Sequence, residues 1–260
     1  MSDRPWFRIF TSVTLQPYAN IETLVIDSYS TDRTRDIAVS YQTRVILCEG
    51  KLLAARYLGC KEAKGSYIVF VDTDQILEPT AIERAVALMD NYDMLVFEEL
   101  SYNTEGFIPR LYSVSRQMVN THFDKPFALD AVKGANPARV YQRDVLTKVF
   151  AAIPQEVIPE TIHYDHDIIY YECYKVSRRV GVLHNAAYNI EPGWSKLWRT
   201  NYRYGASLRT IRESYYWEIF LKKRGSGLFF GRPVTPGLQT FLLAMIIRII
   251  NKLGYYFGHA

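Results

Sequence analysis

Acidic residues with the spacing of a metal or phosphate site follow two short apolar runs in this chain. The first run, 23–26, ends in Asp27, and the second run, 67–71, is followed by Asp72 and Asp74. Short β-branched runs are typical of buried parallel strands, and ligands bind just beyond the carboxyl ends of such strands. Carboxylates collected there repel each other and any phosphate unless a cation lies between them. The two clusters therefore predict a site for a nucleotide diphosphate bound together with Mg²⁺ or Mn²⁺.

Strands and helices alternate through most of the chain, which indicates an α/β fold with a mostly parallel sheet and helices on both faces. The segments predicted as strands are 23–26, 44–47, 67–71, 94–98 and 138–141. The segments predicted as helices are 8–15, 52–63, 81–89, 144–150, 163–177 and the chain from 194 onward. A further helix is predicted in the loop after the first run, where it begins at Ser30 or Asp32 and ends at residue 38. The region 104–133 follows neither pattern clearly.

Basic residues are concentrated in the last third of the chain. The 260 residues carry a formal net charge of +4, but residues 175–260 hold 14 Lys and Arg against 3 Asp and Glu. This basic part predicts contact with membrane headgroups or a pyrophosphate acceptor rather than with nucleic acid. Three widely spaced cysteines and a polar N-terminus without an apolar leader favour a reduced, cytoplasmic protein.

Apolar residues recur at helical spacing between 238 and 257. They are Leu238, Phe241, Leu242, Met245, Ile246, Ile249, Ile250, Leu253 and Phe257, with Gln239, Arg248, Asn251 and Lys252 largely on the other side. The uninterrupted apolar stretch 241–247 is shorter than the roughly 20 residues that span a bilayer. We therefore predict an amphipathic helix lying on an anionic membrane surface, helped by the basic run 222–224. Alternatively, the stripe packs on the protein's own core or on a second copy in a homo-oligomer.

Taken in order, several motifs resemble those of the family 2 glycosyltransferases, which have the GT-A fold. The matching residues in the first half are Asp27-x-x-Ser30-x-Asp32-x-Thr34, Gly50-x-x-x-Ala54-Ala55-Arg56-x-x-Gly59 and Ala63-x-Gly65-x-Tyr67-Ile68-x-Phe70-x-Asp72-x-Asp74. Those downstream are Gly134-Ala135-Asn136 and Arg143-x-Val145-Leu146. The resemblance extends from about residue 7 to residue 190, and the ordered string is far more specific than a lone DxD motif.

The resemblance implies roles for the acidic residues and for one arginine. Asp27 would contact the nucleotide base, with Ser30 in the same binding loop, and Asp72 would lie near the ribose. Asp72 and Asp74 form the DxD motif, whose last aspartate holds the divalent metal. Arg56 would reach the diphosphate or the nucleoside, or alternatively form a structural salt bridge to the acidic loop.

The same resemblance places a general base at the start of a helix. Inverting members of the family use an aspartate there to deprotonate the acceptor hydroxyl. Aligning the motif puts Asp165 at that position, with Tyr164 where Glu is common in the family, and with Asp167 as the second choice. His163 and His166 are expected to be partly exposed polar residues, although they could also tune the site or bind a metal.

Acceptor contacts are predicted at two places. The turn with Gly134 and Asn136 resembles the acceptor-side turn of the family. Trp194, Trp198 and Arg199 follow the predicted catalytic helix, and aromatic rings stack on sugars while guanidinium groups pair with phosphates. These three residues would receive a lipid-phosphate sugar or close over the donor. Alternatively, they belong to a basic amphipathic helix that is packed by its tryptophans.

The resemblance also implies two parts and one departure from the family pattern. Residues 1–193 would form the GT-A glycosyltransferase domain, and residues 194–260 a basic, aromatic, helical extension. Family members begin with an apolar strand that leads into Pro-x-Tyr-Asn and lines the nucleotide pocket. This sequence begins at the helix after that strand, so the resemblance predicts a domain without its usual first strand.

We therefore expect a metal-dependent, inverting glycosyltransferase of the hexosyltransferase type at the inner face of the cell membrane. Its donor would be a UDP- or GDP-sugar, and its acceptor a lipid-linked sugar or a glycan of the cell envelope. The alternative is a non-catalytic descendant that binds a nucleotide-sugar or the membrane, which the absent first strand favours. A nucleotidyltransferase is a third hypothesis, but the Gly-rich, Arg-containing signature of those enzymes is absent from the sequence.

Overall fold

The structure is a computed structural model that describes residues 5–132, 134, 136–219 and 234–258. The first half contains α1 (Pro5–Thr14), β1 (Leu24–Asp27), α2 (Thr34–Ser40), β2 (Arg44–Leu47), α3 (Leu52–Glu62), β3 (Tyr67–Val69), β4 (Gln75–Leu77) and α4 (Ala81–Leu88). The second half contains β5 (Met94–Ser101), α5 (Phe107–Asn120), β6 (Ala138–Gln142), α6 (Arg143–Ala152), α7 (Asp165–Val176), β7 (Val180–Asn189), α8 (Trp194–Arg212) and α9 (Val234–Phe257). Helices and strands therefore alternate as the sequence predicts.

The strands form two sheets. β1 and β2 pair in parallel, with Leu24 opposite Arg44 and Asp27 opposite Leu47. The second sheet has the strand order β3-β6-β5-β7-β4. Within it β5 and β7 are parallel, whereas β3–β6, β5–β6 and β4–β7 are antiparallel. The α/β class is confirmed, but the prediction of a mostly parallel sheet is wrong.

This error has a physical cause in the burial of the five-stranded sheet. In β5, Met94 and Val96 face an apolar cluster that includes α3, α6 and α7, whereas Leu95 and Phe97 face a second cluster that includes α4. All four side chains are at most 1% exposed. A continuous apolar run therefore indicates that both faces are covered, and it carries no information on the direction of the neighbouring strand.

Most predicted elements agree with the observed ones to within three residues at either end. The ambiguous region 104–133 contains α5, and β4 and β7 have no counterpart among the predicted strands. β7 includes the polar pair His184 and Asn185, and Asn185 has a left-handed φ of 48° where the β5–β7 register shifts. This bulge interrupts the alternation that would have indicated a strand.

The two C-terminal helices pack closely together and against α5. Gly205 of α8 lies against the backbone carbonyl of Asn251 in α9, and Gly254 of α9 lies against the carbonyl of Tyr202 in α8. A side chain would fit at neither glycine, because a backbone atom already occupies the space. Glycine at such positions lets two helix backbones approach each other directly.

One face of α9 remains on the surface. Its exposed apolar side chains are Leu238, Phe241, Leu242, Met245, Ile249, Tyr256 and Phe257. Arg248 and Lys252 are exposed as well. By length and composition Gly237–Phe257 is sufficient to cross a membrane, and only 22% of this stretch is buried. The basic run 222–224, which also contributed to the predicted membrane contact, lies outside the described residues.

Candidate active site

The first acidic loop is built on the end of β1. Asp27 is buried, and its carboxylate accepts a hydrogen bond from the backbone N–H of Ser30 at 3.0 Å. Between them Tyr29 has a φ of 58°, so the chain turns sharply there. Asp32 accepts the backbone N–H of Thr34, the first residue of α2, at 2.9 Å. The loop is therefore held in shape by its own acidic side chains.

The second acidic cluster forms the turn between β3 and β4. The Asp72 backbone N–H donates to the side-chain oxygen of Gln75 at 3.0 Å, and the Gln75 N–H donates to the Asp72 carbonyl at 3.0 Å. The buried Gln75 amide also donates to Glu99 at 2.7 Å, which anchors the turn to β5. Asp74 lies in the middle of the turn, and its side chain is 37% exposed. The turn therefore presents one anchored and one accessible carboxylate.

Arg56 of α3 joins the second acidic cluster to the start of α7. Its Nε donates to Asp165 Oδ2 at 2.5 Å, and its Nη2 donates to Asp72 Oδ1 at 2.7 Å. Tyr164 has a left-handed φ of 69°, which turns the chain so that Asp165 becomes the first residue of α7. Asp167 lies half-buried two residues further on. The structure thus brings three predicted site residues together, and the salt bridges of Arg56 go to Asp72 and Asp165 rather than to the first acidic loop.

Arg139 of β6 is a second cation in this cluster. Its Nη1 donates to Asp72 Oδ2 at 2.7 Å, and its Nε donates to Glu99 Oε1 at 3.2 Å. Burial alone would raise the pKa of Asp72, but Arg139 and Arg56 outweigh it and hold that pKa well below its usual range. Asp72 is therefore ionised at neutral pH, with each carboxylate oxygen bound by a guanidinium group.

His166 is buried, so the expectation of a partly exposed side chain is wrong for this residue. Its Nε2 lies beside Arg139 and 3.5 Å from Asp72 Oδ1, because the first turn of α7 packs directly on the charged cluster. Burial, together with Arg139 and Arg56, lowers the pKa of His166, so the ring is neutral at neutral pH. Its Nδ1 is buried and has no hydrogen-bond partner among the described residues.

Asp74 lines a polar cavity together with residues of α8. Lys196 Nζ lies 3.2 Å from Asp74 Oδ2, and the cavity beside them has a volume of about 160 Å³. Arg116 of α5 forms part of the cavity wall, where its Nε donates to Glu191 at 2.5 Å and its Nη1 donates to Glu99 at 2.8 Å. A network of paired charges therefore runs from the cavity wall back to the second acidic cluster.

The predicted acceptor residues are not part of the charged cluster. Gly134 is buried, and a backbone carbonyl of the preceding turn occupies the space that a side chain would need. Asn136 is half-buried, and no hydrogen bond joins it to the carboxylates in the described part of the chain. Trp194 and Trp198 are 54% and 40% exposed on the first turns of α8, and Arg199 is exposed beside them. These three residues therefore remain available at the surface.

The acidic residues suit one divalent cation that is shared with a diphosphate. Nucleotide-bound Mg²⁺ usually takes one or two carboxylates together with phosphate oxygens. Asp74 offers a partly exposed carboxylate, whereas both oxygens of Asp72 are bound by guanidinium groups. Within the described ranges, no group of three or more His, Cys, Asp or Glu side chains could hold a metal by itself. The donor set therefore fits a metal that is bound together with phosphate.

The sequence of this chain matches the model of a known family over most of the site. The family model for glycosyl transferase family 2 matches residues 8–150, which include both acidic clusters and Arg139. This chain belongs to glycosyl transferase family 2. The expected family resemblance is therefore confirmed over more than half of the sequence.

Two curated relatives show how far this similarity extends. Poly(ribitol-phosphate) β-N-acetylglucosaminyltransferase TarS of Staphylococcus aureus is 22% identical over 181 residues, which cover 66% of this chain and 30% of TarS. The putative glycosyltransferase EpsH of Bacillus subtilis is 26% identical over 144 residues, which cover 50% of this chain and 41% of EpsH. The aligned part of this chain thus spans less than half the length of either relative.

Solved structures of glycosyltransferases share the fold. S. aureus TarS 1-349 in complex with UDP-GlcNAc has a TM-score of 0.59 at 16% identity, covering 96% of this chain and 78% of the other. Glucosyl-3-phosphoglycerate synthase from Mycobacterium tuberculosis, in complex with Mn²⁺, UDP-Glc and phosphoglyceric acid, has a TM-score of 0.53 at 17% identity, covering 79% and 75%. These similarities confirm the predicted GT-A fold.

Four charged residues of the site were missed by sequence reasoning. Arg139 lies inside a predicted strand, and a charge within a buried strand requires a charged partner, so a signal was present. Glu99 follows a predicted strand and is therefore a third carboxylate at a strand end. Arg116 and Glu191 lie in segments without a predicted element, so their positions in the sequence gave no signal.

Proposed function

We propose that this chain is an inverting glycosyltransferase that moves a sugar from a UDP-sugar to a hydroxyl acceptor. The observation that carries the proposal is the pair of bonds from Arg56 to Asp72 and Asp165, which connects the DxD turn to the proposed base. TarS with UDP-GlcNAc and glucosyl-3-phosphoglycerate synthase with UDP-Glc have the same fold, which supports a uridine nucleotide as the donor.

Different residues would bind different parts of the donor. Asp27 and Ser30 would contact the base, Asp72 the ribose, and Arg56 the diphosphate. Asp74 would hold Mg²⁺ or Mn²⁺, and its partial exposure allows phosphate oxygens to complete the coordination. When bound, this metal supplies Lewis-acid stabilisation of the charge that develops on the departing diphosphate.

Asp165 would act on the acceptor. Its carboxylate takes the proton of the acceptor hydroxyl while the hydroxyl oxygen attacks the anomeric carbon. The bond from that carbon to the diphosphate breaks as the new bond forms, and the electron pair leaves with the diphosphate. Attack opposite the leaving group inverts the configuration at the anomeric carbon. Arg56 shares its guanidinium between Asp72 and Asp165. If the donor diphosphate bound Arg56, the hydrogen bond from Arg56 to Asp165 would break, and the Asp165 carboxylate could then accept the proton more readily.

The acceptor is proposed to be a lipid-linked sugar or glycan presented at the inner, anionic surface of the cell membrane. α9 exposes Arg248 and Lys252 in addition to its apolar side chains, a combination typical of helices that lie in a membrane interface. Trp194 and Trp198 are exposed at the start of α8, which packs beside α9. Lys196 lies between these tryptophans in sequence and lines the cavity of the site. The start of α8 therefore contributes both to the exposed surface and to the cavity.

Release of free nucleotide tests the proposed activity. The purified chain would be incubated with UDP-glucose, UDP-N-acetylglucosamine or GDP-mannose, together with MnCl₂ and a membrane lipid extract as the source of acceptor. We expect release of UDP from at least one donor, dependent on both Mn²⁺ and the lipid extract. The absence of release from any donor by a folded chain would contradict the proposed function, and release from GDP-mannose alone would contradict the choice of nucleotide.

Flotation with lipid vesicles tests the membrane contact separately. The chain should float with phosphatidylglycerol vesicles and bind phosphatidylcholine vesicles much less, because the exposed basic residues attract anionic headgroups. The double variant Arg248→Gln, Lys252→Gln should weaken flotation, whereas Lys61→Gln, an exposed lysine of α3, should not. A stable dimer that binds neither kind of vesicle would contradict the proposal. It would indicate that the apolar face of α9 packs on a second copy of the chain.

A further inference from the structure

The cavity beside Asp74 has the size of one small ring. Its walls include Tyr112 of α5, Glu191 at the end of β7, and Thr200 and Asn201 of α8. Its volume of about 160 Å³ equals that of about five water molecules, each occupying about 30 Å³ in the liquid. This volume is of the order of a single monosaccharide ring.

The charged residues of the cavity wall are already paired. Arg116 donates to the buried Glu191 and to Glu99, and Lys196 lies against Asp74. The Glu191 side chain is only 1% exposed, so its charge is poorly screened by water. A carboxylate on a ring in this cavity would meet the buried negative charge of Glu191, whose partner Arg116 is already shared with Glu99. The wall therefore disfavours an anionic group.

Neutral polar groups complete the wall. The hydroxyl of Tyr112 interacts with the side chain of Asn201, whose Nδ2 donates one hydrogen to the Leu197 carbonyl at 2.9 Å. The half-buried Thr200 hydroxyl has no hydrogen-bond partner in the described part of the chain. The ring of Tyr204 adds an aromatic surface. Hydroxyl, amide and aromatic groups together match the alternating hydroxyls and C–H faces of a sugar.

The cavity also adjoins the proposed base. Tyr204 lines it and stacks on His163 with ring centroids 4.8 Å apart, and His163 lies two residues before Asp165. Asp74 also lines this cavity. A ring in this cavity would therefore lie beside the carboxylate proposed to hold the metal and against the Tyr204 ring, which packs on the turn before the proposed base. The transferred sugar must lie near both groups.

We infer that this cavity receives the sugar of the donor and selects a neutral, hydroxyl-rich ring over a uronic acid, with Thr200 and Asn201 as specificity-determining residues. This inference rests on the proposed function, because the diphosphate must be held at Asp74 for the sugar to enter the cavity. It goes beyond that function in naming the class of sugar and the residues that distinguish it.

Calorimetric titration in MnCl₂ tests the inference with UDP, UDP-glucose, UDP-N-acetylglucosamine and UDP-glucuronic acid. At least one neutral donor should bind about tenfold or more tightly than UDP-glucuronic acid, since one mismatched buried polar group weakens binding by roughly that factor. Thr200→Val removes the hydroxyl at nearly constant volume. It should weaken binding of the neutral UDP-sugar about three- to tenfold, while the affinity for UDP stays unchanged. Thr210→Val places the same change on a half-buried residue of the same helix away from the cavity and should alter neither.

The outcomes separate this inference from the proposed function. Tighter binding of UDP-glucuronic acid would overturn the predicted selectivity for a neutral sugar. An equal effect of Thr200→Val on UDP and on the sugar nucleotide, or no effect on either, would overturn the role of Thr200 while metal-dependent UDP binding remained. If no uridine nucleotide binds to the folded chain, the proposed function fails and the inference fails with it.

Discussion

Arg56 fixes the carboxylate of Asp165 through a hydrogen bond of 2.5 Å from Nε to Oδ2, and both side chains are only about one-tenth exposed. The two residues are 109 positions apart in the sequence, so this bond connects α3 to the first turn of α7. Charge-assisted hydrogen bonds of this kind are about twice as strong as neutral ones. The ion pair therefore determines where the carboxylate of the proposed base points.

Asp165→Asn should abolish transfer and preserve donor binding. Asparagine keeps the shape of the side chain and still accepts the Arg56 hydrogen bond, but it cannot take the proton of an acceptor. Loss of a general base lowers the rate by roughly 10²- to 10⁴-fold. Single-turnover release of nucleotide measures the rate, and titration with UDP measures binding. Asp167→Asn is the matched control on the same helical turn, and a greater loss there than at Asp165 would move the base to Asp167.

Arg56→Lys should destabilise the folded chain. A single ammonium group cannot donate in the two directions that the guanidinium uses, so either Asp165 would lose its partner or Asp72 would keep only Arg139. We expect the free energy of unfolding in urea to fall by about 1–3 kcal/mol. Arg35→Lys is the control, because the Arg35 side chain is half-exposed and its ion pair with Asp27 is long, at 3.9 Å. This substitution should lower the free energy of unfolding by less than about 0.5 kcal/mol. Equal losses for the two variants would contradict a bridging role for Arg56.

Glu99→Gln should lower the free energy of unfolding at neutral pH. The variant should also lose less of that free energy on acidification than the original chain does. Burial would raise the pKa of Glu99, but Arg139 and Arg116 outweigh burial and lower it. The stability from this carboxylate is therefore complete above the ordinary pKa of about 4.3 and is lost as the pH falls below it.

We expect Glu99→Gln to lose about 3 kcal/mol at pH 7, because it leaves the partly buried guanidinium groups of Arg139 and Arg116 short of a counter-charge. Urea unfolding at pH 7, 5 and 4 measures both effects. Glu105→Gln, at an exposed glutamate, should change stability by no more than about 0.5 kcal/mol. A variant whose stability falls with pH as steeply as in the original chain would contradict the assigned pKa shift.

Gly205→Ala should weaken the packing of α9 on α8. Alanine favours a helix over glycine by about 1 kcal/mol, but its methyl group would overlap the Asn251 carbonyl. Overpacking of this kind costs about 1–3 kcal/mol, so thermal unfolding should begin at a lower temperature. Gly193→Ala is the control, because nothing lies within 4 Å of the added atom. A rise in the unfolding temperature of Gly205→Ala would show that the two helices are not in direct backbone contact.

The two acidic clusters could be predicted from sequence because each follows its own strand directly. Asp72 and Asp74 needed only the adjacent apolar run to be placed at a strand end. The partners of Asp72 could not be placed in this way, since Arg56 and Arg139 are 16 and 67 residues away along the chain. Their convergence depends on the order of strands in the sheet, which the local pattern does not contain.

Side-chain exposure was also beyond reach of the local sequence. His166 and Trp198 both lie near helix starts, but His166 is buried against two arginines whereas Trp198 is 40% exposed. The amphipathic pattern of residues 238–257 correctly predicts a helix, yet the pattern does not decide whether its apolar stripe faces the core. In the structure α9 buries Leu243 and Ile250 and leaves most of the stripe exposed.

Titration of the purified chain with UDP, with MnCl₂ or with EDTA, tests the central claim most directly. We predict that UDP binds and that removal of Mn²⁺ weakens the binding by about tenfold or more, because the diphosphate and Asp74 would share the metal. Asp74→Asn, checked for folding by circular dichroism, should lose most of this dependence on Mn²⁺. UDP binding of equal strength with and without metal, or an unchanged metal dependence in Asp74→Asn, would contradict a metal-bound donor at the DxD turn.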